Sequence, residues 1–132
     1  MGLEASILVL IGGFCGGIAR FLLSGFVGTR VGETFPWGTF VVNLSGAFLI
    51  GVFAGLERYT DGLFAAALFR DFVVVGVLGG YTTVSSFSLQ SINLVLGGEH
   101  KRAAFNVVAS AMLCVTAVAA GFGLIRWMSG AS

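Results

Sequence analysis

Charged residues are scarce in this sequence. Asp, Glu, Lys and Arg make up 10% of its 132 residues, whereas soluble globular domains contain about 25%. Hydrophobic residues account for 57%, and the mean hydropathy is +1.01. Too few polar groups are present to cover a water-exposed surface, so the composition excludes a soluble domain and indicates an integral membrane protein. The net charge is only +1 and no basic run is longer than residues 100–102, so nucleic acid is not an expected partner.

Residues that carry chemistry in enzymes are also rare. The two cysteines, Cys15 and Cys114, lie in apolar runs without metal-ligand spacing, which favours buried reduced thiols. The single histidine, His100, lies in a charged connection, and the sequence offers no nucleophile–base pair. We therefore expect no enzymatic activity. No Asp, Glu, Lys or His lies in the middle of an apolar segment, which disfavours a cationic substrate or proton coupling and favours an anion.

Four apolar segments are each near the roughly 20 residues that a membrane-spanning helix needs. They cover residues 5–27, 36–56, 72–96 and 103–128. The alternating pattern of a β-barrel is absent, and a backbone in lipid must then satisfy its hydrogen bonds within helices. The sequence thus predicts an all-α membrane protein, with one four-helix transmembrane domain over residues 1–132 embedded in a lipid bilayer.

The connections between these segments carry nearly all the charge, and they divide it evenly between the two sides of the membrane. Four spans place both termini and the 57–71 connection on one side. Three cations fall there and three or four on the other side, so the positive-inside rule gives almost no preferred orientation. We predict insertion in both orientations and an antiparallel dimer; a single orientation is the alternative. The cations are Arg58, Arg70 and Arg126 on one side, and Arg30, Lys101 and Arg102 on the other, with Arg20 added if it snorkels outward.

Polar side chains inside the spans each need a partner or a wet cavity. Asn43 lies inside the second span, and its amide offers two donors and an acceptor. Asn106, Ser110 and Cys114 follow an i, i+4, i+8 spacing and share one face of the fourth span. Both patterns fit either a line of donors along a pathway or ordinary hydrogen bonds between packed helices. Arg20 fits an anion vestibule and also simple snorkelling to the interface, and these two interpretations are compatible.

The stretch GVLGGYTTVSSFSLQ, residues 76–90, places many polar groups inside the third span. Gly79 and Gly80 followed by β-branched residues make a poor helix interior. A helix break there would free backbone groups at membrane depth, which is tolerated only inside protein or along a cavity. Freed carbonyls can hold a cation such as Na⁺. The alternative is an unbroken, Gly-rich helix whose Ser and Thr side chains bond to carbonyls one turn earlier.

Three motifs in the chain resemble the CrcB/Fluc fluoride channel family. They are GGFCGGIARF at 12–21, PWGTFVVNLSGAFLIG at 36–51 and GGYTTVSSFS at 79–88. The resemblance extends along nearly the whole chain. It implies an antiparallel, dual-topology homodimer in the plasma or inner membrane of a microbial cell. Such a channel exports fluoride passively from the cytoplasm and relieves fluoride toxicity.

The same resemblance implies roles for particular residues. It implies a structural Na⁺ at the dimer centre, held by the main-chain carbonyls of Gly79 and Thr82 from both copies. It also implies a pore in which Asn43 donates to fluoride and phenylalanine ring edges face the ion, because the ring edge carries the positive part of the quadrupole. The expected pore positions are Asn43, Thr83, Val84, Phe87, Ser110 and Cys114, with Arg20 in the vestibule.

The sequence departs from the family's pattern at two positions. Val84 occupies the first of two phenylalanine positions, and Gln90 stands where the family usually has an acid. Because Val84 has no ring edge, we expect one of the anion contacts that the resemblance implies to be lost at each site. This departure raises an alternative, a non-conducting subunit or one half of a heterodimer whose partner completes the site. A small multidrug-resistance-type transporter is more remote, since such an exporter needs a carboxylate in its first span and residues 5–27 contain none.

Overall fold

The computed structural model describes residues 2–32, 34–62 and 66–130. Over these ranges the regular structure is helical and contains no strand. Four helices are long and apolar enough to cross a membrane, as the sequence predicts. They are α1 (Leu3–Val31), α2 (Trp37–Tyr59), α3 (Ala67–Leu96) and α4 (His100–Met128). Most of their ends lie a few residues outside the predicted apolar segments, because adding a residue to an existing helix costs little compared with starting one.

Local sequence explains where the helices end and begin. Gly32 follows α1 with a φ of 99°, a left-handed conformation that favours glycine, and its N–H donates to the Gly28 carbonyl at 2.9 Å. α2 begins directly after Pro36, whose φ of −76° already suits a helix. Gly98, with a φ of 80°, lies in the short connection from α3 to α4. Short connections of this kind make consecutive helices antiparallel neighbours.

The third helix changes geometry along its length. Ala67–Phe69 is α-helical, Arg70–Leu78 is π-helical, and Gly79–Tyr81 is α-helical again. Residues 82–84 lie outside the helical segments, and Thr82 is extended, with φ −79° and ψ 157°. An α-helix resumes over Ser85–Leu96. The three residues between the helical segments are all β-branched, and β-branched side chains lose χ1 freedom in a helix.

Glycines bring two pairs of helices together at main-chain distance. The most extensive contacts are those of α1 with the first part of α3 and of α2 with α4. A Cβ added to Gly12 would lie 2.9 Å from the Cα of Gly76, and Gly16 approaches the α3 backbone in the same way. A Cβ added to Gly121 would lie 3.2 Å from the carbonyl carbon of Gly51. Small residues permit this close approach, which membrane helices use for association.

Few large side chains are buried within the chain. The buried apolar residues are Phe35, Val42, Ala47, Leu78 and Ala103. Large apolar side chains on the outer faces are exposed instead; Leu10 of α1 is 72% exposed and Val115 of α4 is 71% exposed. An apolar outer surface of this kind suits lipid or another membrane-embedded protein.

Candidate functional site

A groove of about 510 Å³ opens between α2, α3 and α4. All eight residues that the resemblance assigned to the Na⁺ site and the pore line this groove, although they come from three different helices. They are Asn43, Gly79, Thr82, Thr83, Val84, Phe87, Ser110 and Cys114. Arg20, the expected vestibule residue, is half-buried on α1 and does not line the groove.

Asn43 binds the main chain of Thr83 with both ends of its amide. Its Nδ2 donates to the Thr83 carbonyl at 2.7 Å, and the Thr83 N–H donates to its Oδ1 at 2.7 Å. The two bonds join α2 to the non-helical residues of α3 and satisfy main-chain groups that no helix satisfies there. An amide carries two N–H donors, so one remains for a ligand in the groove. Asn43 is therefore both an interhelical contact and a groove residue.

Two carbonyls of α3 lose their usual helical donors at this point. In a continuous α-helix, each carbonyl accepts the N–H four residues later. The Thr83 N–H, which would pair with the Gly79 carbonyl, donates to Asn43 Oδ1 instead. The Ser86 N–H, which would pair with the Thr82 carbonyl, donates to Thr83 Oγ1 at 3.1 Å. Gly79 and Thr82, both in the groove lining, are thus left without these helical donors.

The two threonine hydroxyls have different local roles. Thr82 Oγ1 donates to the Leu78 carbonyl, one turn earlier, at 3.0 Å. Thr83 Oγ1 lies 3.2 Å from Ser85 Oγ and accepts the Ser86 N–H in the first turn of Ser85–Leu96. N–H groups in a first turn lack helical acceptors, so a side-chain oxygen there stabilises the start of the helix. Thr83 therefore contributes to restarting the helix that carries Phe87.

The aromatic part of the groove consists of Phe87 alone among its lining residues. Val84 is 76% exposed and offers no ring. Tyr81, three residues earlier, does not substitute for it, because the Tyr81 hydroxyl lies 2.9 Å from Ser45 Oγ and its ring lies beside Gly46 on α2. The ring that the sequence lacks at position 84 is therefore not supplied by Tyr81.

The three polar residues predicted to share a face of α4 have two different surroundings. Ser110 and Cys114 line the groove, whereas Asn106 does not. The Asn106 side chain is only 2% exposed, and its Nδ2 donates to Ser91 Oγ at 2.9 Å. Of the two interpretations offered by the sequence, the structure shows for Asn106 a hydrogen bond between packed helices and not a position along the groove.

A second cavity, of about 680 Å³, lies where α1 ends and α2 begins. Gln90 lines it, and within the described part of the chain Gln90 Oε1 is buried without a hydrogen-bond partner. None of the eight groove residues reaches this cavity. We place the candidate site in the smaller groove because donors from three helices meet there beside carbonyls that have lost their helical donors.

Comparison with known proteins assigns the chain to a family. The family described as CrcB-like protein, Camphor Resistance (CrcB), matches residues 7–122. The chain belongs to this CrcB-like family. A relative from Brucella abortus biovar 1, named Fluoride-specific ion channel FluC 4, is 66% identical over 128 residues, which are 97% of this chain and 96% of the relative. Fluoride-specific ion channel FluC 2 of Bradyrhizobium diazoefficiens is 47% identical over 128 residues, which are 97% of this chain and 93% of the relative.

Family membership and the four apolar helices together make this CrcB-like chain a multi-pass membrane protein. The family recognised from the three motifs is thereby confirmed. Two hydrogen bonds between helices were not predicted from the sequence. They join Ser45 to Tyr81 and Asn106 to Ser91. A polar residue within a span signals that some partner exists, but spacing along one helix does not identify a partner on another.

Proposed function

We propose that this chain is a subunit of a fluoride channel and not an enzyme. It passes fluoride passively out of the cytoplasm across the cell membrane and so relieves fluoride toxicity. The observation that carries the proposal is the convergence of uncharged donors from three helices on one groove. Relatives that match 97% of the chain bear the name Fluoride-specific ion channel, which supports the same conclusion.

The chemistry of the groove suits a small anion. Its donors are the second amide N–H of Asn43, the Cys114 thiol and the ring edge of Phe87, and its lining contains no carboxylate. The Ser110 hydroxyl donates to Asn106 Oδ1 at 3.4 Å and would have to rotate to donate to an ion. A fully charged partner would trap fluoride. Neutral donors replace part of the hydration shell and still release the ion, as conduction requires.

The membrane potential is a sufficient driving force for export. Each 100 mV, negative inside, contributes roughly 2.3 kcal/mol per expelled negative charge. Fluoride enters a cell from an acidic medium as neutral HF and dissociates in the less acidic cytoplasm, where the anion is retained. A passive pathway therefore lowers its concentration without ATP or a coupled ion.

The proposal includes a structural Na⁺ between two copies of the chain. The main-chain carbonyls of Gly79 and Thr82 would hold it, and what supports this is that the usual helical donors of both carbonyls are engaged elsewhere. Within the described ranges no cluster of His, Cys, Asp or Glu is suited to a metal, so main-chain oxygens are the candidate ligands. Two carbonyls alone make an incomplete oxygen shell for a hard cation, so a second copy would complete it. The ion would supply a fixed positive charge at the dimer centre.

The proposal includes an antiparallel, dual-topology homodimer, which this site and the surface support. The large apolar faces leave room for a membrane-embedded partner, and the evenly divided charges allow insertion in both orientations.

Val84 favours one further candidate, a half-site subunit of a heterodimer, because this exposed groove position lacks the expected ring. The absence of a carboxylate in α1 after Glu4 argues against a small multidrug-resistance-type exporter.

The test is fluoride efflux from liposomes that contain this chain alone. Valinomycin starts the efflux, a fluoride electrode records it, and chloride-loaded liposomes are the comparison. Rapid release of fluoride with retention of chloride is the expected result. Folded dimers that release no fluoride would refute a self-sufficient channel, and release that appears only after adding a second subunit would establish the heterodimer.

A further inference from the structure

A chain of hydrogen bonds lies directly behind the groove and joins α3 to α4. Asn106 Nδ2 donates to Ser91 Oγ at 2.9 Å, and Ser91 Oγ donates to the Phe87 carbonyl at 2.8 Å. On the other side, Ser110 Oγ donates to Asn106 Oδ1 at 3.4 Å. The two ends of this chain, Phe87 and Ser110, line the groove, whereas Asn106 and Ser91 are 2% and 8% exposed.

The buried amide fixes one register between the two helices. Phe87 precedes Ser91 by four residues and Ser110 follows Asn106 by four, so the buried pair lies one turn from each groove residue. A slip of one residue would turn the Ser85–Leu96 helix by about 100° and move Ser91 away from Asn106. The buried amide would then lose its partner, which is costly in an apolar interior.

We propose that Asn106 is a positioning residue for the groove. Acting through Ser91, it sets the height and rotation of the helix that carries Phe87, and it thereby sets the distance from the Phe87 ring to Ser110. This inference rests on the proposed fluoride pathway, because ring position matters most where an ion passes between the ring and the hydroxyl. Asn106 itself touches no ion.

Three variants test the role against a matched control. Asn106→Leu removes the amide, Ser91→Ala removes its partner with a smaller change in volume, and Ser91→Thr keeps the hydroxyl. The control is Asn93→Leu, the same substitution at an exposed position of α3. Dimers of each variant are isolated by size exclusion before reconstitution, so that rates refer to folded protein. If Asn106→Leu does not fold, Ser91→Ala carries the test.

We expect Asn106→Leu and Ser91→Ala to lower the ratio of fluoride to chloride efflux by about tenfold, less than the roughly 10²-fold that a misplacement of about 1 Å can cost at a catalytic site. Ser91→Thr and Asn93→Leu should keep the wild-type ratio. In a Phe87→Ala background, Ser91→Ala should change the ratio no further, because Ser91 bonds to the carbonyl of Phe87; Asn106→Leu also removes the acceptor of Ser110 Oγ and is not used in that background. An unchanged ratio in both single variants, or full additivity with Phe87→Ala, would overturn the proposal.

A second readout does not depend on conduction. A 4-fluorophenylalanine placed at position 87 reports the surroundings of the ring by ¹⁹F NMR. Its resonance should move in Asn106→Leu and Ser91→Ala and stay in place in Asn93→Leu. If the resonance moves in these two variants but the wild-type chain shows no fluoride flux, Asn106 positions Phe87 and the proposed function is wrong. A resonance that stays in place would reject the positioning role, whatever the flux.

Discussion

Replacing Asn43 by leucine should destabilise the fold at the non-helical residues of α3. The leucine side chain has nearly the size of asparagine and no hydrogen-bonding groups. It would leave the N–H and the carbonyl of Thr83 without the two bonds, each of 2.7 Å, that Asn43 provides. No helical neighbour replaces them, because residues 82–84 lie between two helical segments.

The size of the effect follows from those two main-chain groups. A buried donor or acceptor left unpaired costs about 1–3 kcal/mol. Hydrogen bonds between membrane helices measure about 0.6 kcal/mol on average and up to about 1.7. Because the groove is partly open and water can reach it, we expect a loss of about 2–3 kcal/mol for the two groups together. For a chain of this length that corresponds to a melting temperature lower by roughly 10 °C.

Thermal unfolding in detergent, followed by circular dichroism and by the dimer peak in size exclusion, measures this shift. Asn93→Leu, at an exposed position of α3, is the control and should melt within about 2 °C of the wild type. If Asn43→Leu melts at the same temperature as Asn93→Leu, the two bonds do not stabilise the fold, and the reasoning about Thr83 is wrong.

Four further predictions concern other contacts. Val84→Phe should raise fluoride efflux by restoring a ring edge; an unchanged or lower rate would show that the groove is complete with valine. Gly16→Val should destabilise the chain by more than about 2 kcal/mol, because Gly16 meets the α3 backbone, whereas Gly17→Val, with open space around it, should cost little. Tyr81→Phe removes the bond to Ser45 and should cost about 1 kcal/mol without changing the fluoride rate. Exchanging Na⁺ for a bulky organic cation at constant ionic strength should lower the melting temperature, since a bound ion stabilises the folded state; no change would count against the Na⁺ site.

Hydropathy was sufficient to predict the four spans, because a membrane helix is marked by total apolarity and not by a subtle period. The internal geometry of α3 was harder to predict from the sequence. The π-helical segment Arg70–Leu78 packs against glycines of α1, and a contact of that kind depends on a distant part of the chain. The helix α3 starts at Ala67, five residues before the predicted start, because the charged pair Arg70 and Asp71 interrupts the apolar run and the three apolar residues before it were not counted in the span.

The groove residues were predicted from motifs, but their contacts were not. Asn43 and Thr83 are 40 residues apart, and no spacing rule relates them. Asn106 and Ser110 share a face of α4, and the periodicity of a helix predicts that much. It does not say which residue of that face turns toward the groove and which toward α3. Only the tertiary packing distinguishes Ser110, in the groove, from Asn106, behind it.

The glycine contact between α1 and α3 has a mechanical consequence. Where Gly12 meets Gly76, main-chain atoms touch main-chain atoms, and main-chain atoms have no rotamers. Side-chain motion therefore cannot loosen this contact in small steps, and the two helices are expected to move as one stiff body. Such stiffness would limit movement of the Gly79 carbonyl, which follows this contact along α3, and any change in the width of the groove would require α1 and α3 to move together relative to α2 and α4.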